Sequence, residues 1–224
     1  MKPSLLTLSA ALMVSTIIPH PAMAELTAVK EFRAAISHLK SIDASLSGVG
    51  LVILGPSQNK TACGVVDDST LVANYCPKSR TIYATASTVN QVKQAYGAAG
   101  VRFLAAHELG HARQHAITGF ASEQVWSDML DELQADCIAG AYLNMAYGYT
   151  SDSSIASELQ SFAKDLGDHA FYQRTSHGPP SWRANALMRG LRTSDPKRCL
   201  SSNRFNYEAL RQTGAELLRQ LRSR

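Results

Sequence analysis

The chain has 224 residues, of which 45% are hydrophobic and 18% are charged. This composition is typical of a globular protein and excludes collagen-like, low-complexity and disordered chains. The formal charge of +4 is too small to indicate nucleic acid as a partner, and four cysteines are too few for a disulfide-dense miniature scaffold.

The first 24 residues have the pattern of a secretory signal peptide. Lys2 precedes an apolar run over 5–18, and residues 22–24 (Ala-Met-Ala) fit a cleavage site. An N-terminal membrane anchor is the alternative, but the apolar run is too short to span a bilayer comfortably. We therefore expect an exported protein, periplasmic or secreted, with one domain over 25–224 and no stable membrane insertion after cleavage.

The N-terminal half of the expected domain combines one helix with a small β element. Apolar residues recur at helical spacing over 26–46. A short apolar run over 51–54 indicates a strand. The segment 60–85, rich in Thr, Val and Tyr with turn residues between, predicts a small hairpin or a three-stranded ribbon.

The remainder of the chain is predicted to be helical, so the expected fold class is mainly α, or α+β. The apolar spacing predicts a helix from Val89 to Gly97, a hinge over 98–100 and a second helix over 101–117. Further helices are expected over 126–147, from 153–154 to the Tyr172 region, over 182–191 after a loop at 174–181, and over 207–222.

All four cysteines follow the predicted signal peptide, and export would place them where disulfides persist. Cys63 and Cys76 are close in sequence and flank the predicted hairpin segments, so we expect them to pair. Cys137 and Cys199 then form the second pair. None of the four has the C-x-x-C spacing of a redox or zinc-ribbon site.

A candidate metal site lies in the helix predicted over 101–117. His107, Glu108 and His111 form an H-E-x-x-H motif. At positions i and i+4 the two imidazoles project from one helix face, close enough to bind a single ion. Glu108 lies where it can hold a water at that ion. Two surface histidines with a coincidental glutamate are the alternative, but the apolar residues before the motif favour a buried helix.

The third ligand does not come from the same helix. The metzincin motif, H-E-x-x-H-x-x-G-x-x-H, would place Gly and His at the positions held here by Gln114 and Ile117, so that class is excluded. His115 shares the face of the motif but lies about 12 Å from His107 along the helix axis. One ion cannot bind both, so we expect His115 to be a residue of the helix face or a polar neighbour.

The next predicted helix supplies a better candidate for the third ligand. Its carboxylates are Asp128, Asp131, Glu132 and Asp136. Glu132 can complete a His₂Glu site, and Asp136, one turn later, can accept a hydrogen bond from the free ring nitrogen of a ligand histidine. A solvated acidic face is the alternative, but the apolar neighbours indicate burial, where carboxylates need a partner or a metal.

These motifs resemble the bacterial neutral zinc metallopeptidase family. The match is closest over 132–140 (ELQADCIAG) after H-E-x-G-H, and it extends over about 60–200, with 148–175 unplaced. The resemblance implies a gluzincin-like helical core that acts on peptide or protein substrates. It also implies one Zn²⁺ per chain, bound by His107, His111 and Glu132, with Glu108 as the catalytic carboxylate.

The wider gluzincin group has an H-(G/P)-x-x-x-x-R motif after the E-x-x-x-D helix, and His177 and Arg183 occupy those positions. By analogy, His177 would donate to the oxyanion of the reaction, and Arg183 would anchor its loop on a carboxylate. An equal alternative is that His177 only orders the loop. Tyr75 and Tyr83 are other candidate donors, although aromatic packing is the simpler role for both.

The predicted activity is peptide hydrolysis by an exported zinc enzyme, with Glu108 as general base. One alternative is a non-catalytic, zinc-stabilised binding module, which would have no need of Glu108. Another is a hydrolase for cell-wall peptide or amide bonds, for which the chain offers no wall-binding repeat. The sequence does not indicate an oligomeric state.

Overall fold

The computed structural model describes residues 21–55, 58, 60–65, 73–118, 129–168 and 176–200. Its helices are α1 (Pro21–Ile42), α2 (Ala86–Thr118), α3 (Met129–Tyr147), α4 (Ala156–Asp165), α5 (Pro180–Leu191) and α6 (Lys197–Leu200). Its strands are β1 (Gly50–Leu54), β2 (Lys60–Thr61), β3 (Gly64–Val65), β4 (Ala73–Cys76) and β5 (Thr81–Thr85). This mainly helical structure with a small sheet confirms the predicted α+β class.

The main sheet has three strands in the order β1-β5-β4. β4 and β5 pair antiparallel across a tight turn, as the sequence predicted for a hairpin. β1, however, pairs with β5 in parallel, with Gly50 opposite Thr81 and Leu54 opposite Thr85. β2 and β3 form a separate two-stranded ladder. The hairpin predicted within 60–85 is therefore present, and its last strand is also the centre of a sheet with β1, a pairing that the sequence did not predict.

The long helix α2 is interrupted at one residue. Gly97 has φ 60° and ψ −159°, a left-handed conformation that glycine adopts without steric cost. The predicted hinge over 98–100 is wrong, since these residues are helical. Gly100 is required for a different reason, because a Cβ there would lie 2.4 Å from the Cβ of Tyr96.

Several helix ends differ from the predictions. α1 ends at Ile42, and Asp43 caps a short 3₁₀ helix, Ala44–Leu46, by accepting a hydrogen bond from the Ser45 N–H at 3.0 Å. α4 is shorter than predicted within the described part, and the sequence did not predict α6. The segments outside the described residues include most of the predicted signal peptide, Asp128, Tyr172 and the predicted helix over 207–222.

Helix α3 lies between α2 and α5, close enough for backbone contact. A Cβ on Gly190 of α5 would lie 2.0 Å from the carbonyl oxygen of Cys137, and one on Gly110 of α2 would lie 2.9 Å from that of Ala135. Both distances are too short for a real side chain, so glycine permits these crossings. The close approach brings the polar side of α3 against the H-E-x-x-H face of α2.

Two disulfides join the predicted pairs. Cys63, between β2 and β3, bonds to Cys76 at the end of β4, and Cys137 of α3 bonds to Cys199 of α6. Such bonds persist in oxidising compartments, which is consistent with export. Among the helices that the structure describes, none has the length and apolar character needed to cross a membrane.

Candidate metal centre

Three predicted ligands converge between α2 and α3. His107 Nε2 lies 3.2 Å from His111 Nε2, and the oxygens of Glu132 lie 3.4 Å from His107 Nε2 and 3.3 Å from His111 Nε2. Within the described part of the chain, these residues form a group able to hold a metal ion, with one ligand atom each. His107 and Glu132 are buried, and His111 is partly exposed.

The spacing of these atoms fits zinc. Ligand atoms bonded at about 2.0–2.1 Å to a tetrahedral ion lie about 3.3–3.4 Å from one another. The observed separations of 3.2, 3.3 and 3.4 Å fall at this value. Two histidines and a glutamate are also a donor set of catalytic zinc sites, which keep a fourth position for water or substrate. The residues present therefore fit the ion that the sequence implied.

Asp136 holds the second nitrogen of His107. Its Oδ1 lies 2.9 Å from His107 Nδ1, and its side chain is fully buried. A carboxylate can only accept here, so the His107 Nδ1–H donates, and Nε2 is left to face Glu132 and His111. The structure thus brings Asp136 to the position that the sequence predicted for it.

Arg183 from α5 joins the two carboxylates of α3. Its Nε and Nη2 donate to Asp136 at 2.7 and 2.9 Å, and its Nη1 lies 3.2 Å from Glu132 Oε2. Nη1 also donates to the Leu166 carbonyl oxygen at 3.0 Å, which ties α5 to the end of α4. The planar guanidinium matches this arrangement of acceptors. The predicted carboxylate contact of Arg183 is therefore to Asp136 and Glu132.

The charges around the cluster favour a cation. Burial alone would lower the pKa of His107, but hydrogen bonds to Asp136 and Glu132 outweigh it and raise this pKa to about 10. Burial would raise the pKa of Glu132, but the charge of His111 and the hydrogen bond to His107 hold it well below its ordinary value. Burial likewise opposes ionisation of Asp136, yet the neighbouring Arg183 lowers its pKa. Both carboxylates are thus ionised at neutral pH and stabilise positive charge at His107.

Glu108 is held by the sheet. Its side chain is buried, and its Oε2 accepts a hydrogen bond at 2.7 Å from the backbone N–H of Tyr75 in β4. Since β4 is an edge strand of the three-stranded sheet, its outer N–H groups are available to the helix beside it. The fold therefore fixes one oxygen of Glu108 independently of the metal ligands.

The other predicted side chains lie around this centre in different ways. The Tyr75 hydroxyl is 2.8 Å from His115 Nδ1, so His115 is a polar neighbour, as expected. The Tyr83 hydroxyl is 3.3 Å from that of Ser79. His177 is exposed in the loop before α5. Its backbone N–H donates a hydrogen bond to Asp168 Oδ2 at 2.7 Å, and its ring Nδ1 lies 3.5 Å from the same oxygen. These contacts order the loop.

Residues 47–202 match the family described as "Putative neutral zinc metallopeptidase". The chain belongs to this family. Two curated relatives, both named "Uncharacterized protein YpfJ", come from Escherichia coli strain K12 and from Escherichia coli O6:H1 strain CFT073. Each is 26% identical over 172 residues, which cover 66% of this chain and 60% of the relative.

The chain thus matches less than two thirds of the length of these relatives. No solved structure matches it significantly. Membership in the neutral zinc metallopeptidase family implies zinc as the metal. This agrees with the donor set of the cluster.

One side chain at the candidate metal centre was not predicted from the sequence. Gln114 is fully buried, and its Oε1 lies 3.0 Å from His111 Nδ1. Glutamine on a helix is so often exposed that its identity gives no signal. Its position, three residues after a ligand histidine on a helix expected to be buried, was the available indication.

Proposed function

We propose that this protein is an exported zinc metallopeptidase that hydrolyses peptide bonds, with Glu108 as general base. The observation that carries the proposal is the set of nitrogen and oxygen atoms spaced at 3.2–3.4 Å from two histidines and Glu132. One Zn²⁺ per chain would be held by His107, His111 and Glu132. The buried Glu108 follows His107 in the same helix, as this chemistry requires.

Bound zinc supplies a Lewis acid that activates water and polarises the peptide carbonyl. Glu108 would accept the proton of the attacking water and deliver it to the leaving amine. The Tyr75 N–H, 2.7 Å from Glu108 Oε2, holds the carboxylate before substrate arrives. An oriented base loses little conformational freedom in the reaction, so this contact favours catalysis.

The remaining predicted residues would support the reaction from outside the ligand set. Asp136 keeps a proton on His107 Nδ1 and so directs Nε2 at the ion. Arg183 balances the charge of Asp136 and Glu132. The exposed ring of His177 is proposed to donate to the developing oxyanion when substrate is bound.

The test combines metal analysis with cleavage of a peptide library read by mass spectrometry. The purified protein should contain about one zinc per chain. Glu108→Gln should keep the zinc and lose turnover by a factor of about 10² or more. Glu158→Gln, an exposed glutamate of α4, is the matched control and should keep both.

The possible outcomes separate the alternatives. Full activity of Glu108→Gln would show that the base is another group. Zinc retention in both His107→Ala and Glu132→Ala would refute the ligand assignment. Zinc binding without any peptide cleavage by the wild type would favour the binding module, and cleavage of cell-wall fragments alone would favour the wall hydrolase. A mature N-terminus near Glu25 would establish export.

A further inference from the structure

We propose that Gln114 is a positioning residue for His111, at the head of a partly buried hydrogen-bond relay that ends at Cys199. The inference rests on the proposed zinc site and assigns a function to a residue outside its ligand set. The two ligand histidines have different partners at Nδ1. His107 faces the carboxylate of Asp136, whereas His111 faces the neutral amide of Gln114, at 3.0 Å.

The far end of the relay fixes the direction of every hydrogen bond in it. The carbonyl oxygen of Cys199 can only accept, so the group of Gln134 that lies 3.1 Å from it must be the NH₂. The Oε1 of Gln134 therefore points the other way, where it accepts from the NH₂ of Gln114 at 2.9 Å. The amide orientation of Gln134 is thus set by its surroundings.

The amide of Gln114, one step closer to the metal ligands, is oriented by its partners in the same way. The NH₂ of Gln114 donates to Gln134 and also, at 2.8 Å, to the carbonyl oxygen of Asp131. Because both of these partners are acceptors, they face the NH₂ of Gln114, and its Oε1 faces His111. Oε1 can only accept, so the facing Nδ1 of His111 must be the donor. His111 must then carry its proton on Nδ1, which leaves the lone pair of Nε2 toward His107 and Glu132.

The position of Gln114 connects both helices of the site. It belongs to α2, one turn after His111, and its second donor bond reaches the backbone of Asp131, the residue before Glu132. One side chain therefore sets the tautomer of one ligand and holds the segment that carries another. The relay ends at α6, which the disulfide from Cys199 to Cys137 joins to α3.

The experiment measures zinc affinity by competition with a chromophoric chelator. Gln114→Met keeps the approximate volume and removes both the acceptor and the donors, and we expect it to lower the affinity about 10–100-fold. Gln134→Met leaves the acceptor for His111 in place and removes only its support, so it should have a smaller effect in the same direction. Gln94→Met, at an exposed position of α2, is the control and should not change the affinity.

A second measurement reports the tautomer directly. In the zinc-loaded wild type, nitrogen-15 NMR should show a slowly exchanging proton on His111 Nδ1, and Gln114→Met should lose it or make it exchange rapidly. A residue that only contributed to packing would change the unfolding free energy of the metal-free protein without changing this signal.

Each result decides the proposal. A folded Gln114→Met variant with wild-type zinc affinity overturns the relay while leaving the peptidase assignment untouched. If that variant does not fold, an unchanged affinity in Gln134→Met overturns the relay, and a reduced one supports it. A wild type that binds no zinc overturns both this inference and the proposed function. Zinc binding without peptidase activity overturns only the latter.

Discussion

Replacing Arg183 with methionine would remove the cation that two buried carboxylates share. Arg183 contacts Asp136 at 2.7 and 2.9 Å and Glu132 at 3.2 Å, and the side chains of Arg183, Asp136 and Glu132 are 1%, 0% and 6% exposed. Each charge-assisted hydrogen bond contributes about 1.5–3 kcal/mol to stability. Breaking a buried ion pair typically costs about 3–5 kcal/mol, because the remaining charge is buried without a partner or water. We therefore expect Arg183→Met to lower the free energy of unfolding by about 3–5 kcal/mol.

The assay is urea unfolding of the metal-free protein at neutral pH, in the presence of a chelator. Arg192→Met is the matched control, since Arg192 is exposed at the end of the same helix, and its effect should stay within about 0.5 kcal/mol. The dependence on urea should keep its slope in both variants, so that midpoints report stability alone. A loss below about 1 kcal/mol for Arg183→Met would refute the view that this cation holds the two carboxylates.

Two further predictions test the packing of α3 and the contacts of Asp43, the residue after α1. Gly190→Ala places a Cβ 2.0 Å from the Cys137 carbonyl oxygen, so α3 and α5 must separate. Thermal unfolding should show that the free energy of unfolding falls by about 3 kcal/mol. An effect no larger than that of Asn185→Ala, at an exposed position of α5, would contradict this. Burial opposes ionisation of Asp43, but the hydrogen bond from Tyr142 and other partners lower its pKa below 3.8, so its contribution to stability is present at neutral pH and lost as pH falls through the lowered pKa. The stability difference between wild type and Asp43→Asn should therefore shrink in acid, and a difference independent of pH would argue against this assignment.

The core of the candidate site could be predicted from the sequence because helical spacing determines it. His107 and His111 share a face whatever the rest of the fold does, and Glu132 and Asp136 share another. Apolar neighbours indicated that both faces are buried, and buried carboxylates require a partner. Burial and periodicity indicated that these two helices pack together, and the resemblance to the zinc metallopeptidase family implied the ligand set.

Other features depend on contacts that no local pattern encodes. The Tyr75 N–H that holds Glu108 is a backbone group, so the identity of the side chain carries no information about it. The parallel pairing of β1 with β5 joins segments separated by the whole ribbon, which periodicity cannot detect. Gln114 is a neutral amide whose burial follows from the approach of α3. The sequence predicted the break in α2 over 98–100, next to Gly97. Several small residues follow one another there, and the backbone dihedral angles show that Gly97 is the one that leaves the helical conformation.

The order of the residues along the chain has a consequence for biosynthesis. Arg183 follows Asp136 by 47 residues and His107 by 76. A ribosome therefore makes α2 and α3 well before the helix that neutralises their acidic groups. Until that helix emerges, the half-built centre carries an excess of negative charge that disfavours its closure. Nascent or truncated polypeptides that lack α5 should consequently not form the candidate metal centre.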